Sequence, residues 1–142
     1  MKIFALVASL LASIAVFAND QPYKTFGDVR VYYSAFNSSF IAPDVASAYN
    51  ITRGKDRGLV NIAVVPQGSG HGTAALVGGT VNNLLAQQQT LEFMEIREGD
   101  AIYYLAPFRF ANEDPLNFTI HVRPANAETT STFTFSRTFH WD

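Results

Sequence analysis

A two-residue rhythm constrains this chain more than any other feature. From Leu116 to Val122, apolar Leu116, Phe118, Ile120 and Val122 alternate with polar Asn117, Thr119 and His121. From Thr132 to Trp141, Phe133, Phe135, Phe139 and Trp141 alternate with Thr134, Ser136, Thr138 and His140. Side chains on a strand point to opposite faces in turn, so such segments bury one face and wet the other. On a helix the same spacing would scatter the apolar groups around the axis. Arg137 interrupts the second pattern and is expected either to pair with an inward carboxylate or to mark an exposed edge.

The remaining segments are short and bounded by turn residues. Val29 to Phe36 alternates, and Leu59 to Val65 is nearly continuous in apolar residues before Pro66 ends it. Ala74 to Leu85 contains Gly78-Gly79, where a bulge or close packing is expected. Gln87-Gln88-Gln89 reads as a polar connection. Thr90 to Arg97 and Ala101 to Phe110 form the best hairpin, turning at Glu98-Gly99-Asp100. If Glu98 faces Ala101, then Ile96 faces Tyr103 and Met94 faces Leu105, giving one buried cross-strand cluster. One short helix is predicted from Pro43 to Asn50, with Pro43 in a first helical position and Asp44 in the first turn. It is expected to lie as a lid at one end of the sheets.

Seven strands at this spacing, with no internal repeat, predict an all-β fold. An immunoglobulin-like antiparallel sandwich leads, and a small barrel is the alternative.

The first eighteen residues do not belong to that pattern. Lys2 is followed by an apolar run from Ile3 to Phe17, then Val16-Phe17-Ala18 and polar Asn19-Asp20. That order is the signature of a cleavable signal peptide, and the run is short for a membrane span of roughly 20 residues. Residues 1–18 are therefore expected to be a signal peptide and residues 19–142 a single domain, exported to the periplasm. Without Lys2, nine Lys and Arg stand against twelve Asp and Glu, a net charge of −3. That balance argues against a nucleic-acid partner held by its phosphates. There is no cysteine, which removes disulfides, cysteine-based zinc sites and a lipid-attachment thiol. No membrane anchor is expected after signal cleavage.

No stretch completes a catalytic or cofactor signature. Gly68-Ser69-Gly70-His71-Gly72-Thr73 is the most suggestive. No lysine follows it, and the next segment reads as strand, so the phosphate-loop pattern fails. Gln67 occupies the place where a nucleophile elbow needs glycine before Ser69. His71, His121 and His140 have no metal-ligand spacing. Glu92, Glu95, Glu98 and Asp100 crowd one hairpin and read as a solvated face, with Arg97 and Arg109 as partners. Tyr32, Tyr49 and Tyr103 are candidates to line a peptide or sugar groove, although core packing is the stronger account of the aromatics. No catalytic, cofactor or metal residue is assigned.

Two stretches remain as partner surfaces: Ser69, His71 and Thr73 in the glycine-rich loop, and Asp44, Tyr49 and Arg53 in the Ser38–Arg53 excursion.

Four segments together carry a family resemblance. They are Val31-Tyr-Tyr-Ser-Ala-Phe-Asn37, Pro43-Asp-Val-Ala-Ser-Ala-Tyr49 with Ile51-Thr-Arg53, Gly58-Leu-Val-Asn-Ile62, and Glu95-Ile-Arg-Glu-Gly-Asp-Ala-Ile-Tyr-Tyr104. The chain resembles the bacterial family known as domain of unknown function 4426 over essentially all of residues 19–142. The resemblance implies a small exported protein of Gram-negative bacteria and carries no activity with it. The expectation is a non-enzymatic binding or interaction module of the cell envelope, contacting another envelope protein or a peptide. The alternative is a small periplasmic hydrolase or metal-dependent enzyme using His71.

Overall fold

Antiparallel pairing organises residues 22–142, the part of the chain that the computed structural model describes. The expected signal peptide, residues 1–18, lies outside the described residues. In chain order the strands are β1 Tyr23–Phe26, β2 Val29–Asn37, β3 Arg57–Pro66, β4 Ala75–Asn82 and β5 Gln88–Leu91. They continue as β6 Met94–Glu98, β7 Ala101–Arg109, β8 Asp114–Pro124 and β9 Ser131–Phe139. A 3-10 turn at Ser38–Phe40 and helix α1 at Pro43–Ala48 lie between β2 and β3. No helix among the described residues is long and apolar enough to cross a membrane.

Two sheets result, one in the order β1-β2-β3-β7-β6 and one in the order β5-β4-β8-β9. The sheets are separate, so the sandwich holds and the barrel does not. With β1 set aside, β2, β3, β7 and β6 take the places of strands A, B, E and D of an immunoglobulin domain. β5, β4, β8 and β9 take those of C′, C, F and G. Antibody domains tie strands B and F with a disulfide. Here Val60, Ile62 and Val64 of β3 and Phe118, Ile120 and Val122 of β8 fill the space between the sheets, all at 0% exposure. Around them Phe118 stacks on Phe135 with centroids 4.7 Å apart. Phe108 meets Phe118 and Phe139 edge-on at 5.2 and 5.1 Å. Such tilted and offset contacts suit the ring quadrupole.

Two strands escaped the sequence pattern. β1 is four mostly exposed residues whose apolar content is too low to register. The segment expected as one strand from Thr90 to Arg97 divides. Leu91 belongs to the second sheet and the inner core, whereas Ile96 belongs to the first sheet and is buried on its outer side. Glu92 and Phe93 carry the chain across, and Gln88, expected in a polar connection, opens β5. β3 also begins inside the stretch expected as a turn. Gly58 pairs with Phe108, and a Cβ there would come within 3.0 Å of three atoms of that ring. Glycine is required because the ring occupies the space.

The hairpin register is as expected: Glu98 faces Ala101, Ile96 faces Tyr103 and Met94 faces Leu105. Its cluster, however, lies on the outer face of the first sheet. Ile96 and Leu105 are buried there with Phe36 and Leu59 beneath Ile41, Val45 and Ala46 of the excursion. The short helix therefore covers a sheet face instead of an end. Pro43 occupies its first turn, and the Ala46 N–H donates to the Ala42 carbonyl at 2.9 Å.

The last strand stops at Phe139, so Trp141 does not join its inward face and is 44% exposed. The Lys55 ammonium lies 4.3 Å from the Trp141 ring centroid. Arg137 finds no inward carboxylate. Its guanidinium donates to the Ala35 carbonyl, on the part of β2 that extends beyond β1, so it caps a sheet edge.

Candidate functional site

The strand registers bring four connections to the end of the sandwich where β3 reaches Pro66. They are the Gly27–Asp28 turn, the Gln67–Ala74 loop, the Gly99–Asp100 turn and the Ala125–Thr130 turn. Backbone hydrogen bonds interlock them. The Gln67 N–H donates to the Asp28 carbonyl at 2.7 Å, and the Gly72 N–H to the Asp100 carbonyl at 2.9 Å. The Thr73 N–H donates to Val64 at 2.8 Å, and the Ala125 N–H to Ala74 at 2.8 Å. The glycine-rich loop is thus anchored to three neighbours.

These ties enclose a groove of about 630 Å3 lined by Phe26, Asp28, Pro66, Thr73, Asn126 and Ser131, among others. A second groove of about 440 Å3 lies on the other side of the Pro124–Ala127 turn, against Ala75, Leu76 and Arg123. The Arg123 guanidinium donates to the Ala127 carbonyl at 3.0 Å, and Asn126 has a φ of 68°. Asparagine tolerates that left-handed backbone better than most residues. The wall between the two grooves is therefore shaped by the turn itself.

Ser69, His71 and Thr73 all belong to this end. The Ser69 hydroxyl accepts from the His71 backbone N–H at 3.0 Å, so it bonds the main chain and not the ring. The imidazole Nδ1 lies 3.1 Å from an Asp100 carboxylate oxygen, with both side chains well exposed at 64% and 73%. Serine, histidine and aspartate are neighbours here without forming a nucleophile–base relay, which needs the hydroxyl on the ring nitrogen opposite the carboxylate. Among the described residues no three of His, Cys, Asp or Glu gather as metal ligands. His121 faces Thr132, as expected, with Nδ1 2.9 Å from the hydroxyl oxygen.

Asp44, Tyr49 and Arg53 form no common site with those three. Asp44 is exposed in the first turn of α1. Tyr49 packs on the outer cluster with Tyr103. Burial first, and the Glu98 carboxylate second, push both phenols above their ordinary pKa. Arg53 donates to the Ser39 carbonyl at 3.4 Å, beside a shallow hollow shared with Gly54, Lys55 and Asp142. The Ser39 hydroxyl donates to the Asp142 carboxylate. Tyr32 is two strands away from Tyr103 and packs against Tyr23, with tilted rings 5.3 Å apart, so the three tyrosines do not share a groove.

The carboxylate face also differs from expectation in its partners. Arg97 holds Glu95 at 2.9 Å, and the Tyr104 hydroxyl donates to it at 2.8 Å. Those two bonds, Arg97 first, hold Glu95 below its usual carboxylate range. Arg109 takes no part: its backbone N–H and C=O both bond the Gln89 side chain at 2.8 Å. The groove residues Phe26, Asp28, Asn126 and Ser131 carry no motif. Only strand order brings the Ala125–Thr130 turn beside the glycine-rich loop. Once strands B, C, F and G are assigned, the B–C and F–G loops fall together at one end.

Known proteins agree with this geometry. The family model described as Domain of unknown function (DUF4426) matches residues 23–142. The crystal structure of a DUF4426 family protein from Pseudomonas aeruginosa PAO1 is 35% identical, covering 88% of this chain and 98% of that one with a TM-score of 0.77. FetP of uropathogenic Escherichia coli strain F11 is similar in fold alone. Its copper-bound variant is 11% identical at a TM-score of 0.60, covering 85% of this chain and 95% of that one. The as-isolated form, recombinantly expressed in the periplasm, is 11% identical at 0.59, covering 85% and 94%. No curated protein matches the chain. The match along residues 23–142, and the shared sandwich at 35% identity, place this chain in the DUF4426 family.

Proposed function

We propose that this chain is an exported periplasmic binding module, and that it contacts its partner through the Pro66 end of the sandwich. The interlocked loops around the larger groove are the observation that carries this reading. Four connections from both sheets meet there and are tied by backbone hydrogen bonds, so the surface is formed before a partner arrives. Pre-formed grooves lose less ordering entropy on binding. The lining mixes apolar Phe26, Val29, Pro66 and Pro124 with neutral polar Thr73, Asn126, Thr129 and Ser131, and carries a single carboxylate, Asp28. That composition suits a peptide or protein segment of low charge. The Ser69–Thr73 stretch belongs to the rim. Asp44, Tyr49 and Arg53 belong to the covering element over a sheet face, away from this groove.

Export is supported by the signal-like order of the first eighteen residues. The expression of the FetP fold relative in the periplasm points the same way. One observation favours the metal-dependent alternative: the His71–Asp100 pair stands on a fold that holds copper in FetP. Two exposed donors without a third make a weak site.

Photo-crosslinking in cells separates these readings. A crosslinking residue at Thr73 or Asn126 is expected to capture a discrete partner in the periplasmic fraction, and one at Glu113 at the opposite end is not. Capture from Glu113 alone would overturn the assignment. Capture that vanishes with a chelator and with His71→Ala would favour the metal reading.

A further inference from the structure

Among the described residues four strands end the two sheets, and one of these edges is unguarded. β1 and β5 are four residues long and β6 is five. Short edges offer little to an incoming strand, and β6 also carries the Glu95–Arg97 ion pair. β2 runs on beyond β1, but Arg137 caps its Ala35 carbonyl and its Tyr33 N–H donates to Pro22. β9 is different. It is nine residues long and pairs with β8 from Ser131 to Phe139 without a bulge. Its one charge, Arg137, lies in the half far from the Pro66 end. From Ser131 to Ser136 there is no charge, proline or glycine. In an antiparallel ladder every second residue turns its N–H and C=O away from the partner strand. On β9 no strand lies beyond to take those groups.

Donors and acceptors at that spacing are matched by another extended backbone. The unguarded half of β9 also leads into the larger groove. Ser131 lines that groove with Phe26, and Phe26 meets Phe133 across the sandwich with ring centroids 6.1 Å apart. A chain laid along β9 therefore runs on between β9 and the β1–β2 turn. A second copy offers strands only as parts of a folded sheet, with no free end to enter the groove. Two charges flank the path. Lys24 is opposite Val31, which puts it on the inner side of β1, and Asp28 lines the groove. Neither belongs to an ion pair among the described residues.

We infer that an extended segment of a partner protein pairs with β9, adding a strand to the four-stranded sheet, and ends in the larger groove. The segment alternates as β9 does, with apolar side chains inward and small polar ones beside Thr132, Thr134 and Ser136. It carries a carboxylate toward Lys24 and a cation toward Asp28, so its net charge is low. The added strand rests on the proposed contact surface and gives the occupant of that surface a conformation and an order of charges.

Photo-crosslinking residues at Thr132 and Thr134 in cells, with mass spectrometry of the adducts, test it first. They are expected to capture the same protein as Thr73 and Asn126, within one contiguous segment of it. Gln88, on the opposite edge of the same sheet, is expected to capture nothing. A synthetic peptide copying the captured segment is then added to the purified protein. At roughly ten times its Kd, alternate β9 amides should exchange about tenfold more slowly, while β1 and β6 amides keep their rates. N-methylation of the peptide should abolish binding at every second position of the paired stretch and spare the positions between, because only half of its N–H groups meet β9. Lys24→Glu should weaken binding roughly two- to fivefold, and a peptide with its carboxylate changed to lysine should restore it. Capture of a second copy from Thr134 would overturn the added strand. So would protection of β1 in place of β9, N-methyl effects without a period of two, or an affinity indifferent to Lys24→Glu. If Thr73 and Asn126 capture a protein and β9 does not, the added strand is refuted and the groove contact stands. If none of these positions captures one, the proposed contact surface fails as well.

Discussion

The five-stranded sheet buries apolar side chains on both of its faces, and the two faces do so differently. On the inner face Val31, Val60, Ile62, Ala106 and Phe108 meet the second sheet across a core of interlocking rings. On the outer face Phe36, Leu59, Ile96 and Leu105 are covered only by the Ser38–Arg53 excursion, whose one helix is six residues long. The inner cover is itself a sheet held by ladders. The outer cover is a loop whose helix would not persist alone. The inner core thus sets the global fold, and the outer cluster holds one segment down on it.

The largest effect should come from emptying the inner core. Phe118 is completely buried and contacts Phe108, Phe135 and Phe139. Phe118→Ala should cost about 3–5 kcal/mol, a large share of the ~5–15 kcal/mol typical of a domain. Urea denaturation would read it as a fall in midpoint. A loss below about 1 kcal/mol would mean that the rings repack freely and that the inner core is not a close-packed unit.

The outer cluster should respond less, and locally. Leu105→Ala is expected to cost about 2–3 kcal/mol, toward the low end for such a truncation, because a loop can settle into the space. The sharper readout is hydrogen exchange. The N–H groups of Ala46, Tyr49 and Ile51 bond within the excursion and should exchange by a local opening in the wild-type chain. Leu105→Ala should speed their exchange more than that of β8 amides. Equal protection of both regions would erase the distinction between the two covers.

The same contrast explains what was legible in the sequence. β8 and β9 have one covered face, and their alternation gave inward and outward residues correctly through Phe139. β3 is covered on both faces, and its near-continuous apolar run is the mark of that burial. Seen alone, the run could not say what lay on the second face. The hairpin register of β6 and β7 followed from its turn, but which side of the sheet its cluster faced did not. A period of two fixes relative parity and leaves the absolute side open. The crossing at Glu92–Phe93 was hidden for a related reason: apolar residues on either side suit a strand in either sheet. The candidate site was half legible. Glycines marked the Gly68–Thr73 loop, whereas its neighbour at Ala125–Thr130 became a neighbour only through the order of strands.

The smallest effect concerns Glu95, next to outward Ile96 on β6 but turned toward the inner side. Its carboxylate takes bonds from Arg97 and from Tyr104, whose hydroxyl also accepts from the Ala75 N–H of β4 at 2.9 Å. Glu95 therefore joins the edge of one sheet to the start of the other through a single phenol. Its folded pKa lies below the unfolded value. In the acid range between the two, the unfolded chain binds more protons, so stability falls as pH drops through that window. The contribution is complete above the ordinary carboxylate range and gone below the folded pKa. Because Glu95 is partly exposed, solvent screens the pair and the effect should be modest. Glu95→Gln should lower the urea midpoint slightly at neutral pH, and the difference from wild type should vanish on acidification. A difference that persists unchanged at low pH would show that the side chain acts by packing, and that this link between the sheets does not depend on its charge.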